Sequence, residues 1–170
     1  MNKLIALVLA WATLLCGVTG LQAQTALESA RKDDVVMVPS GNAAMAAAFK
    51  KAHETLDGFV RLMEAPPHGT RSYAVKVRIS EGNVHEYFWI GNLARNGERF
   101  SGTLNNEPRL VKKVRAGQSI RFGRDEIVDW MYIDSDKRRM VGNYTACALL
   151  TLEKPEAAAA FKKQYGLVCD

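Results

Sequence analysis

Ser119-Ile120-Arg121-Phe122-Gly123, Ile127-Val128-Asp129-Trp130-Met131-Tyr132-Ile133 and Arg139-Met140-Val141-Gly142-Asn143-Tyr144-Thr145 fill most of the stretch from Gly117 to Thr145. Each run is rich in β-branched and aromatic residues and is short enough for a strand. Polar turns near Arg124-Asp125 and Asp134-Ser135-Asp136 separate them. The stretch therefore reads as three successive β-strands.

More strands precede it. Tyr73, Val75, Val77 and Ile79 alternate with Ala74, Lys76, Arg78 and Ser80, the pattern of a half-buried strand. Glu81-Gly82-Asn83 makes the turn. Val84 to Leu93 is apolar on both faces, with Val84, Phe88 and Ile90 on one and Tyr87, Trp89 and Leu93 on the other. That predicts a central strand covered twice. Asn96-Gly97 is a strong hairpin signal and joins it to Arg99–Leu104. Asn105 to Pro108 reads as a loop, and Leu110 to Val114 as a strand or a turn of helix.

Helices flank the strands. Met45, Phe49, Ala52, Leu56, Phe59 and Met63 recur at steps of four and three, one apolar stripe of an amphipathic helix. Ser40, Gly41 and Asn42 offer its N-cap, and Pro66, Pro67 and Gly69 end it. Ala146 to Leu152 starts helically with Thr145 as cap. Pro155 opens a last helix that Gly166 can close. The fold class is α+β: an amphipathic N-terminal helix packed on a twisted antiparallel meander or partial barrel, with a C-terminal helix. Residues 35–170 form one domain, in which Val35–Val38 reads as an edge strand stopped by Pro39.

The beginning of the chain has a different character. Lys3 supplies a positive start, Leu4 to Leu15 is an apolar run too short to span a bilayer comfortably, and Gly17 to Ala23 is small and polar. This is the anatomy of a secretory signal peptide over residues 1–23, with cleavage near Ala23 and a loose leader over 24–34. Cys16 does not suit lipidation, because the bulky Leu15 precedes it. The expected location is outside the cytoplasm, in the periplasm.

Charge and cysteines narrow the partners. Removing residues 1–23 takes Lys3 away, so the formal charge of +5 falls to about +4. A basic exported domain favours acidic envelope surfaces rather than nucleic acid. Cys147 and Cys169 remain, and an oxidising compartment permits a bridge between them. The alternatives are two unpaired thiols or an intermolecular bond. His53, His68 and His85 are scattered without metal-ligand spacing, so no metal and no cofactor is expected.

A series of residues carries a family resemblance. It comprises Met45 with the Ala-rich helix to Phe59, Ala74-Val75-Lys76-Val77, Glu86 with Trp89, and Phe100-Ser101-Gly102-Thr103-Leu104-Asn105. Asn106-Glu107-Pro108, Gly117, Ile127-Val128-Asp129-Trp130-Met131-Tyr132 and Gly142-Asn143-Tyr144-Thr145 complete it. In these the chain is similar to the YegJ-like proteins, a bacterial family filed as a domain of unknown function. The resemblance implies no activity and no catalytic residues.

Candidate chemistry is sparse. There is no G-x-S-x-G, P-loop, dinucleotide fingerprint or H-E-x-x-H. Asp129 and Glu86 each interrupt an apolar setting. If they met across one cleft they would suit a hydrolase with paired carboxyls; the structural alternative is that each fixes a turn or strand end. Trp130, Tyr132, Asn143, Tyr144, Thr145 and Asn105 sit at strand ends and are ligand-contact candidates, against plain turn and cap chemistry. Arg121, Arg124, Arg138 and Arg139 would attract an anionic partner if the turns converge on one edge. The leading expectation is an exported, non-catalytic binding module for an envelope component or a protein.

Overall fold

A computed structural model describes residues 42–169. The expected leader and the Val35–Val38 strand lie outside these residues.

Helix α1 covers Ala43–Glu64, and Asn42 caps it by accepting from the Met45 amide at 2.9 Å. Its buried line is Ala48, Ala52, Leu56, Phe59 and Val60. Ala52, Leu56 and Phe59 are the expected stripe; Met45, Phe49 and Met63 flank it half-buried. Pro66 and Pro67 follow directly and cannot continue the helix.

Six antiparallel strands follow: β1 (Thr70–Glu81), β2 (Val84–Asn96), β3 (Arg99–Leu104), β4 (Ser119–Gly123), β5 (Ile127–Asp134) and β6 (Arg139–Gly142). Their order in the sheet is β4-β3-β2-β1-β5-β6. The first four are a meander; β5 then returns to the far side of β1. A flat sheet would put β4 and β5 four spacings of about 4.8 Å apart, roughly 19 Å. Only a 3-10 turn, Arg124–Glu126, joins them. Those four residue steps span at most about 14 Å. The sheet therefore curls, and the turn packs against β1. This is the expected twisted sheet, open because its two edge strands do not pair.

Turn chemistry sets the register. Gly82 and Gly97 each take the first central position of a two-residue hairpin loop with positive φ, as a type II′ turn requires. The second turn is thus Gly97-Glu98, one residue later than the Asn96-Gly97 signal implied.

Inside the curl, Val75, Val77, Ile79, Phe88, Ile90, Phe100, Leu104, Phe122 and Ile127 pack with α1. Phe59, Tyr73, Trp130 and Tyr132 form a closed set of ring contacts, with centroids 5.1 to 6.4 Å apart. The Trp130 indole N–H donates to the Ala52 carbonyl at 3.1 Å, tying β5 to α1. The expectation that β2 is covered on both faces holds only in part: Phe88 and Ile90 are sealed, Trp89 is half-buried and Tyr87 is exposed.

Residues 105–118 form neither strand nor helix, which corrects the reading of Leu110–Val114. After β6 come α2 (Tyr144–Leu150), capped from Asn143 rather than Thr145, and α3 (Pro155–Tyr165). Cys147 and Cys169 are bridged, with Cα atoms 5.6 Å apart. The bridge fastens the end of the chain to α2 beside a small second cluster of Leu150, Ala158 and Leu167.

Candidate functional site: a split in the sheet

The ladder between β1 and β2 stops at the Val75–Ile90 pair, although both strands continue. Beyond it β1 stays with β5, pairing Ala74 with Met131 and Arg71 with Ile133. Strand β2 stays with β3, pairing Gly91 with Thr103 and Ala94 with Ser101. Each strand carries a register shift there, between Arg71 and Ala74 in β1 and between Gly91 and Ala94 in β2. Within the shifts, Ser72 and Asn92 have φ of 56° and 48°, left-handed values that non-glycine residues seldom take. Bulges bend strands and raise their twist. Two facing bulges thus pull β1 and β2 apart.

The gap is a hollow of about 740 Å³ lined by residues of α1, β1, β2, β5 and the loop after β3. Ser72, Asn92, Asn105 and Asn106 supply polar groups; Met63, Leu93, Trp89 and Met131 supply apolar surface. Among the described residues, the lining carries no Asp, Glu, Lys, Arg, His or Cys. Asn106 accepts from the Trp89 amide at 2.8 Å, and the Asn105 amide N–H donates to the Trp89 carbonyl at 2.9 Å, so the loop is pinned to β2. The exposed Asn105 side chain lies against Gly91, where an added Cβ would sit 3.0 Å from its nitrogen. A side chain at 91 would make that amide give way by a few tenths of an ångström.

A second polar cluster lies in the body of the sheet. Trp89, Lys76 and Asp129 stand opposite one another across β2, β1 and β5, on the face away from Trp130. The Lys76 ammonium sits 4.6 Å from the centre of the Trp89 ring and donates to Thr145 Oγ1 at 2.6 Å. Thr145 Oγ1 donates in turn to Asp129 Oδ2 at 2.6 Å. Asp129 also accepts from the amides of Trp130, Tyr144 and Thr145 at 2.8, 3.2 and 2.8 Å. Burial pushes the Asp129 carboxyl up, opposed by Lys76 and these donors. Burial likewise pushes the Lys76 ammonium down, opposed by Asp129. Asp129 is 0% and Thr145 3% exposed, and neither lines the hollow. The arrangement fastens the start of α2 to β5.

The family model described as an uncharacterized protein conserved in bacteria (DUF2314) matches residues 42–168. The chain belongs to that family. It is 35% identical over 115 residues to the uncharacterized protein YegJ of Escherichia coli strain K12, covering 67% of this chain and 72% of that protein. It is also 36% identical over 53 residues to a putative ankyrin repeat protein of Neisseria meningitidis serogroup B, covering 31% of this chain and 21% of that one. No solved structure matches.

The residues singled out from this DUF2314 chain's sequence scatter in space. Glu86 pairs with Ile79, three positions along β1 from the Asp129 partner Lys76, so the two carboxylates point to opposite faces. They do not meet. Glu86 accepts from the amides of Arg109, Leu110 and Val111 at 2.9 to 3.2 Å, holding the long loop. Trp130 is 5% exposed and belongs to the core, which removes it as a surface contact. Tyr132 and Tyr144 are half-buried beside it, with Tyr144 edge-on to Trp130 at 5.4 Å. Asn143 makes the left-handed turn into α2. Among these, Asn105 alone lines the hollow.

The arginines divide as well. Arg121 and Arg124 belong to edge strand β4 and the turn after it, whereas Arg138 and Arg139 sit at the β5–β6 turn by the other edge strand. Arg124 is held by Asp57 at 2.6 Å. The turns thus do not gather the four on one edge strand.

Sequence reasoning missed Ser72, Asn92 and Gly91. The first two are polar residues in otherwise regular strands, and only register shows that they bulge. No group of three or more His, Cys, Asp or Glu suited to a metal occurs among the described residues. No helix among them is long and apolar enough to cross a membrane.

Proposed function

We propose that this protein is an exported, non-catalytic binding domain whose ligand enters the split between β1 and β2. One observation carries the reading: two facing bulges, each with a left-handed polar residue, open the sheet onto an uncharged hollow. Strained non-glycine positions and bulges gather at binding sites. A concave site with apolar walls and a few placed polar groups is the usual form of a ligand pocket, at 300–1,000 Å³. The neutral lining favours an uncharged ligand group over the anionic partner that net charge alone would suggest.

Export is supported by the leader-like residues 1–23 and by the Cys147–Cys169 bridge, which persists in oxidising compartments. The ligand is then a component of the cell envelope or a protein found there.

Co-sedimentation of the full-length protein with bacterial envelope fractions tests the reading. Asn92→Trp and Asn105→Arg fill the hollow from exposed positions and should abolish sedimentation; Asn105→Arg should leave thermal stability unchanged, and Asn92→Trp should cost about 1 kcal/mol because Trp suits the left-handed backbone less well than Asn, with the protein still folded. Binding should survive 0.5 M NaCl, because exposed charges are screened beyond about 3–5 Å there. Loss of binding on charge reversal of Arg138 and Arg139, with both hollow variants fully active, would move the site to the basic edge.

A further inference from the structure

We infer that the split receives an extended polypeptide segment, whose backbone amides pair with the strand edges it exposes and with the Asn105 side chain. This rests on the split being the binding site. It adds the chemical class of the ligand.

The geometry is that of an interrupted sheet. Residues 72–74 of β1 and 91–93 of β2 continue the direction of a ladder that has stopped at Val75–Ile90. They do not pair with each other; Ala74 and Gly91 keep Met131 and Thr103 as outer partners, and the four residues within the register shifts have no ladder partner on either side. Strand edges of this kind take up extended peptides through main-chain hydrogen bonds, while pockets on either face accept alternate side chains.

Three features of the lining favour a peptide. Asn105 offers a carboxamide with both donors and an acceptor, and its side chain makes no hydrogen bond to the described residues, so it is a two-point match for a backbone amide. Met63, Met131 and Leu93 give walls that adapt to different side chains. The absence of lining charge suits a main chain, which carries dipoles and no net charge. A sugar fits less well. The Lys76 ammonium already occupies one face of the Trp89 indole. It draws the ring's electron density toward itself, which weakens the face left for sugar C–H groups.

The test uses backbone amide NMR of the full-length protein with four probes. These are N-acetyl-trialanine methylamide, the same peptide with every amide N-methylated, an N-acetylglucosamine tetramer and a glucose tetramer. The expected result is saturable shifts at residues 72–74, 91–93 and 105 with the first peptide. Affinity should fall at least tenfold on N-methylation, which removes the donors without removing apolar surface. Asn105→Ala should weaken the first peptide by about three- to tenfold, the worth of one or two net hydrogen bonds. Equal affinity of the N-methylated peptide, or binding of a saccharide with no binding of peptide, overturns the peptide inference and leaves the split as the site. No shift at the split with any probe overturns both.

Discussion

Removing the Asp129 carboxylate should be among the costliest single changes in this protein. Asp129→Ala takes away the acceptor of four hydrogen bonds: the Trp130, Tyr144 and Thr145 amides and the Thr145 hydroxyl. It also leaves the Lys76 ammonium without its counter-charge on a half-buried side chain. The four donors are left without their acceptor in a buried setting, and the Lys76 ammonium, which reaches Asp129 through the Thr145 hydroxyl, loses its nearby opposite charge; together these cost about 3–5 kcal/mol. Total stabilities are about 5–15 kcal/mol, so the variant retains a marginal fold. With a urea slope of about 2 kcal/mol per molar, the midpoint should drop by about 1.5–2.5 M. Lys76→Met in the Asp129→Ala background should cost far less than Lys76→Met alone, because the stranded charge is then gone. The pH profile gives a second readout. The folded carboxyl holds its proton to higher pH than the unfolded one, near 3.9. In the window above 3.9 the folded state therefore binds more protons, and this group's contribution falls as pH rises through it. Lys76 acts in the opposite sense. Its folded value lies below the unfolded one near 10.4, so its contribution rises with pH across that window. A midpoint within 0.5 M of the wild type for Asp129→Ala, with an unchanged pH profile, would refute the assignment of this cluster as the fastening of α2.

Other perturbations probe separate parts of the fold. Glu86→Ala frees the loop amides of Arg109, Leu110 and Val111 at a cost of about 2–3 kcal/mol; limited trypsin digestion should then cut after Arg109, Lys112 or Lys113 faster than in the wild type. Cys147→Ser with Cys169→Ser opens a loop with a sequence separation of 22, and thermal unfolding should report a loss of about 3 kcal/mol in the chain-entropy account. Gly142→Ala puts a Cβ 2.3 Å from the Trp130 carbonyl at a φ of 80°, so near-UV circular dichroism should show the Trp130 environment disturbed and urea unfolding a loss above about 2 kcal/mol. Acidification should weaken the β5–β6 turn: the Lys137 amide and ammonium hold the Asp134 carboxyl below its usual range, so its contribution is present above the unfolded value near 3.9 and is lost as pH falls through the folded one, which amide exchange at Lys137 can follow.

The elements were legible in the sequence because their patterns are local. The α1 stripe, the alternation in β1, the Gly82 and Gly97 turns and the three runs from Ser119 to Gly142 each lie within about 20 consecutive residues or fewer. What was not legible depends on pairing across the sheet. The return of β5 to the far side of β1 turns a meander into a curled sheet, and no short window contains it. That return places Trp130 inside, against α1, where it anchors the helix on the sheet and is not a ligand contact. The split is hidden for the same reason. Ser72 and Asn92 look like outward polar residues of regular strands, and their left-handed backbone appears only when both registers are known. Asn105 was visible because it follows a strand end directly, in a polar loop.

The acidic residues make the division between scaffold and site intelligible. Glu86 binds the amides of residues 109–111, Glu81 those of Lys112 and Lys113, and Glu126 that of Gly123. Asp134 binds that of Lys137, and Asp129 those of Trp130, Tyr144 and Thr145. Each carboxylate does for an irregular segment what a neighbouring strand does for a regular one, satisfying N–H groups that have no ladder. A carboxylate engaged in this way is a poor general base, since its lone pairs are occupied and its geometry is needed by the loop. The long segment 105–118 can consequently stay ordered without secondary structure and hold Asn105 and Asn106 beside Trp89. Among the described residues, five acidic side chains thus fix backbone, and the polar side chains that line the hollow are neutral.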